Sequence, residues 1–153
     1  MKARLAASAA LALGIAIGGS GCAMITYQAT TEKYDPSDGV SADLGTIDLR
    51  NVLVVSEDGE EGNLIASITN TGEDDATLEI EVVETGDTFE VDVDAGETVS
   101  LGAADEEPLL IADLGAEVGG LVAIYFQHGT EEGRELGVPV LDGRLPEYED
   151  LVP

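Results

Sequence analysis

Two hydrophobic patterns divide the chain. From Leu5 to Ile17, thirteen residues run without a charge, mostly Ala, Leu and Ile. From Leu44 onward, apolar residues come instead in short alternating runs broken by Gly, Asn and Asp. Thr46–Val55 is the first predicted strand. Asn63–Thr69 is the second, with Leu64, Ala66 and Ile68 on one face and Asn70-Thr71-Gly72 as a closing turn. In Thr77–Val83, Leu78, Ile80 and Val82 point one way and Glu79 and Glu81 the other. Thr88–Val93 repeats this with Phe89, Val91 and Val93 against Glu90, Asp92 and Asp94. Thr98–Leu101, Leu109–Ile111, Leu121–Gln127 and Glu135–Val140 complete the set. An acid at every second position marks an antiparallel strand with one face on a core and one in water. Leu121–Gln127 is apolar enough to be expected buried on both faces, and Ile65 and Val83 interrupt the alternation of their strands.

No segment after residue 41 sustains a period of 3.6. About seven or eight short strands with turn residues at this spacing predict an all-β sandwich over residues 42–141. Residues 22–41 read as a tether: the stretch Ala29–Gly39 is polar and aperiodic, with turn formers at Tyr34-Asp35-Pro36 and Asp38-Gly39. The tail at 142–153 is expected to be frayed or lightly docked.

The first 21 residues have the layout of an export signal. Lys2 and Arg4 supply a basic start, the apolar run follows, and Gly18-Gly19-Ser20-Gly21 precedes Cys22. Spanning a bilayer takes about 20 apolar residues, so the run is too short for a permanent transmembrane helix. Cys22 is the only cysteine, which excludes an intrachain disulfide. Gly19-Ser20-Gly21-Cys22 resembles the bacterial lipobox, although Gly19 stands where that motif usually has Leu or another aliphatic residue. The resemblance implies cleavage before Cys22 and acylation of its thiol. Small residues let a protease approach the backbone, and several acyl chains hold a protein firmly at a membrane where one does so marginally. The implied location is the extracytoplasmic face of the cell membrane, with lipid on Cys22 as the membrane contact. The plainer alternative is an ordinary export signal followed by a stray thiol.

Charge narrows the partners. After residue 21 there are 32 acidic side chains against four basic ones, Lys33, Arg50, Arg134 and Arg144, a net charge of −28. Nucleic-acid binding needs Lys and Arg to neutralise phosphate and is excluded; electrostatic adhesion to anionic lipid is disfavoured for the same reason. The acids are spread along the chain, as suits a surface kept soluble by repulsion. Divalent cations or a basic partner are the functional alternatives.

Catalytic chemistry has little to work with, and no catalytic residue and no cofactor is expected. His128 is the single histidine, at a strand end running into a turn. The chain contains no CxxC, no HExxH and no glycine-rich loop opening a helix. Acid-rich loops at Glu57-Asp58-Gly59-Glu60-Glu61 and Asp105-Glu106-Glu107 could offer oxygen ligands to Ca²⁺, but neither has EF-hand spacing. Asp105, Glu106, Glu107 and His128 are therefore the candidate metal ligands, and no metal site is predicted from them.

Several stretches taken together resemble a known family: Val93-Asp-Ala-Gly-Glu-Thr-Val-Ser-Leu101, Pro108-Leu-Leu-Ile-Ala-Asp-Leu114, Gly119 to Gln127, and Gly137-Val-Pro-Val140. They are similar to the periplasmic copper-chaperone domain of PCuAC type. Ser41 to Val52 and Leu64 to Gly72 also fit its actinobacterial branch, the LpqE-like lipoproteins. The resemblance covers most of residues 41–140 and implies a cupredoxin-like or immunoglobulin-like sandwich. In that family Cu(I) is held by His and Met, soft ligands suited to the ion. One ligand cluster falls about where Pro108, Leu110 and Ala112 stand here, and the other falls between the third and fourth strands, where there is no His or Met. After the signal only Met24 and His128 remain. The resemblance thus implies a retained scaffold with lost ligands: a non-enzymatic lipoprotein acting on an unidentified envelope protein. A metal-handling module is the alternative, and an enzyme with an unrecognised site is a third class.

Overall fold

The computed structural model describes residues 2–19, 34–103 and 106–153, so Cys22, Met24 and Asp105 lie outside the described residues. The chain divides into two units, Met1–Tyr34 and Asp35–Pro153. In the first, α1 (Lys2–Gly19) is an α-helix, as its Ala and Leu content favours. No helix among the described residues is long and apolar enough to cross a membrane.

The second unit is built from nine strands: β1 (Val40–Leu44), β2 (Ile47–Val55), β3 (Gly62–Asn70), β4 (Ala76–Val82), β5 (Thr88–Val93), β6 (Thr98–Leu101), β7 (Leu109–Ile111), β8 (Leu121–His128) and β9 (Arg134–Leu141). One antiparallel layer runs β5-β4-β8-β9. The other places β2 between β1 and β3, with β6 and β7 taking successive stretches of β3. A short parallel pairing, Val54 with Val140 and Val55 with Leu141, joins the layers at one edge. The predicted all-β sandwich is therefore present, with nine strands. The one not foreseen is β1, a short run whose Asp43 and Ser41 disguise it as loop. It is held by pairing with β2 across the Gly45-Thr46 turn.

Alternation decides the core. Ala76, Leu78, Ile80 and Val82 are buried while Thr77 and Glu79 are exposed. Facing them from the other layer are Leu44, Ile47, Leu49, Leu64, Ala66 and Ile68. In β2 the inward parity changes from Ile47 and Leu49 to Val52 and Val54. The change is made by a β-bulge between Arg50 and Leu53, where Asn51 takes φ +51°. An extra residue in one strand shifts every later side chain to the opposite face.

The structure corrects the expectation for β8. Only Val122, Ile124 and Phe126 are buried; Leu121 is 68% exposed, and Ala123, Tyr125 and Gln127 are half-buried. Its sheet packs the core with one face, so even a strongly apolar strand keeps an outer row. The opposite holds on β3. Ile65 points away from the main core into a second apolar cluster with Leu53, Val55 and Tyr148, covered by Leu141, Leu151 and Val152. The C-terminal tail is thus docked on the outside of the β2–β3 pair. It includes a 3-10 helix at Glu149–Leu151, and Asn63 Nδ2 donates to Leu151 O at 3.0 Å.

Candidate functional site

His128 ends β8, where register places it opposite Leu78 of β4. Its Nδ1 lies 3.2 Å from Thr77 O. A carbonyl only accepts, so this contact places the proton on Nδ1. Nε2 then faces Thr46 Oγ1 at 3.4 Å, in the turn between β1 and β2. Both contacts are at the surface, and they link one layer to the other at an open end of the sandwich. This is a structural tie with one nitrogen left as an acceptor.

The carboxylate candidates lie elsewhere in the fold. Glu106 sits in the connection from β6 to β7, held through its backbone: Gly102 N–H donates to Glu106 O and Glu106 N–H to Ala103 O, each at 3.1 Å. Glu106 and Glu107 are exposed. Their loop belongs to the β2–β3 layer and His128 to the other, and the fold does not gather them into a ligand set. Among the described residues, no group of three His, Cys, Asp or Glu is placed to hold a metal ion. Of the positions where the sequence resemblance would put a ligand cluster, Pro108 is half-buried, and Leu110 and Ala112 are exposed.

The acid loop at 57–61 is organised by its own chain. Ser56 is fully buried; its Oγ donates to Glu61 O and accepts from Gly59 N–H. Asp58 Oδ1 accepts from Glu60 N–H at 2.9 Å. These bonds shape a turn, and none aims a carboxylate at a common point. The other buried polar side chains are also used by the backbone. Asn70 Nδ2 donates to Asp74 O at 2.8 Å and Val93 O at 3.1 Å, while its Oδ1 accepts from Gly72 N–H at 2.9 Å. No buried side-chain polar atom among the described residues lacks a partner, so no unsatisfied group points to a ligand.

An open cleft of about 840 Å³ lies beside the docked tail, lined by Glu57, Val118, Asp142, Gly143, Arg144, Glu149 and Val152. Glu106, Glu107 and His128 do not line it, Glu57 of the acid-rich loop does, and its single cation, Arg144, pairs with Asp142 at 3.2 Å.

Tyr148 is a residue that no local pattern in the sequence marks. The residue is 7% exposed, and its hydroxyl donates to Asp38 Oδ2 at 2.9 Å. Burial, then the hydrogen bond and negative charge of Asp38, then Glu147, push the phenol up to about 12. A tyrosine among tail prolines and acids was the available signal, but nothing local marks what it covers.

The architecture has solved counterparts. The copper-bound PCuAC domain from PmoF2 superposes with a TM-score of 0.51 at 9% identity, covering 67% of this chain and 98% of that one. The apo PmoF2 PCuAC domain gives 0.52 at 9% identity, covering 69% and 98%. No family model matches the sequence, and no curated protein does. The chain therefore carries an all-β sandwich with the fold of PCuAC domains. At this identity the likeness is one of fold.

Proposed function

We propose that this chain is a non-enzymatic lipoprotein of the LpqE-like kind, anchored through acylated Cys22 at the extracytoplasmic face of the cell membrane, whose PCuAC-like sandwich works through protein contacts in the envelope. The observation that carries the reading is the pairing of two parts. A helix with a basic start and an uncharged run from Leu5 onward ends three residues before a lone cysteine. A separate sandwich follows whose sequence supplies one histidine and no methionine. A membrane anchor and a scaffold with a single histidine and no methionine suit a tethered contact module.

The anchor is tested by replacing the thiol. Cys22→Ser is expected to release the protein from membrane fractions or leave its precursor uncut, and mass spectrometry of the native product should find acyl chains on residue 22. Identical fractionation and migration of the two forms would overturn the anchor.

The second reading, metal handling, draws on the fold shared with a copper-bound domain. Titration of the mature chain with Cu(I), Cu(II) and Ca²⁺ separates it from the first. Tight stoichiometric uptake would favour it; the proposal expects none.

A further inference from the structure

The outer face of the β5-β4-β8-β9 sheet carries two chemistries side by side. Toward one end it is apolar and low in relief. Val83 N–H donates to Ala123 O at 3.0 Å, and Ala123 stands opposite Gly137. In the next row Leu121 stands opposite Pro139. Leu121 and Val83 are 68% and 43% exposed. A Cβ on Gly137 would lie 3.3 Å from Leu121 Cδ1, so the leucine leans over bare backbone. Leu121 and Val83 are diagonal neighbours across this row, close enough for large side chains to share one contact.

The rows beyond are acidic. Glu81 faces Tyr125, which faces Glu135. Glu79 faces Gln127 on one side and Glu90 on the other, and Asp92 follows on β5. No Lys or Arg stands in these rows. Glu79 and Glu90 are like charges directly across a strand pair, an arrangement that costs stability. The exposed Leu121 and Val83 share one sheet face with these acidic rows.

We propose that this face docks a protein segment bearing an apolar side chain flanked by Lys or Arg. This rests on the contact-module reading and names its partner class. The charge selects the occupant: a body at net −28 repels a second copy of itself and an anionic lipid surface alike. Spacing fits an extended segment, because successive rows on one face of a strand lie about 6.6 Å apart, the same step as residues i and i+2 of an extended chain. The apolar residue rests on Leu121, Val83 and the Gly137 backbone. The cations two and four residues on reach the Glu81–Glu135 and Glu79–Glu90 rows.

The test uses the mature chain carrying Cys22→Ser, so its result does not depend on lipidation. The probe is the peptide Leu-Thr-Lys-Thr-Lys-Thr-Lys, titrated by calorimetry and by amide NMR. Saturable binding is expected, with shifts centred on Val83, Leu121, Ala123 and Gly137. Leu121→Ser should weaken it at least fivefold, and so should Ser for Leu in the peptide. Glu79→Gln with Glu90→Gln should weaken it and flatten its salt dependence. Leu110→Ser, an exposed apolar position on β7 in the other layer, should leave it unchanged. Absence of saturable binding would overturn the proposal, as would equal effects of Leu121→Ser and Leu110→Ser, which would reduce the peptide to a generic polycation. Failure here leaves the Cys22 fractionation result standing, and the reverse also holds.

Discussion

Tyr148 Oη and Asp38 Oδ2 lie 2.9 Å apart, joining residues separated by 110 positions. Asp38 stands two residues before β1, and Tyr148 anchors the docked tail over Leu53, Val55 and Ile65. Tyr148→Phe keeps the ring and removes the hydrogen bond; because Asp38 is exposed, the loss should be about 1 kcal/mol. Tyr148→Ala also empties the second cluster and should cost about 3 kcal/mol. Urea unfolding of the two variants checks the order.

The same phenol predicts alkaline behaviour. Its pKa is raised from 10.0 to about 12 in the folded protein. Below pH 10 both folded and unfolded chains hold the proton, and the contribution is fully present. Between 10 and 12 the unfolded chain releases it first, so stability falls as pH rises through this window, by up to about 1.4 kcal/mol per pH unit. Absorbance at 295 nm should show one tyrosine titrating near pH 12, and that step should vanish in Tyr148→Phe.

Asn70 holds the turn from β3 to β4 with no exposure. An aspartate would lose both donors to Asp74 O and Val93 O and place a carboxylate beside those carbonyls. Asn70→Asp should destabilise by about 3 kcal/mol at neutral pH, measured by thermal unfolding.

Asn51 makes the β2 bulge in a left-handed conformation, and its Oδ1 accepts from Gly39 N–H at 3.1 Å. Asn51→Ala should cost about 2 kcal/mol, combining backbone strain with the lost bond. Asn51→Gly relieves the strain and should cost about half as much. Gly39→Ala should be worse than either, because a Cβ there would lie 2.5 Å from the Asn51 carbonyl carbon and 2.7 Å from Val52 N. Equilibrium denaturation of the three variants ranks them.

Where two-residue alternation is clean, the fold was readable. In residues 77–82 and 88–93 the alternation shows the inward and outward faces directly. The apolar character of Leu121–Gln127 suggested burial on both sides, yet its outer row is partly open, because hydropathy does not show which faces a second layer will cover. The candidate ligands were legible as residue types only. His128 became a tie between Thr46 and Thr77, and Glu106 and Glu107 went to the other layer, since the layer a loop joins depends on pairings far along the chain.

By itself the sequence determined the strand class, the core parity of most strands, the acidic surface and the shortage of soft metal ligands, all of which are properties of composition or of neighbours two residues apart. Tertiary structure alone decided the docking of β1, the parallel seam of β2 with β9, the second cluster around Ile65 and Tyr148, and the meeting of Leu121 with Gly137 and of Glu79 with Glu90. Each of these joins residues far apart in the chain. Their proximity comes from burying apolar faces together and pairing backbone groups across the layers, which no local pattern encodes.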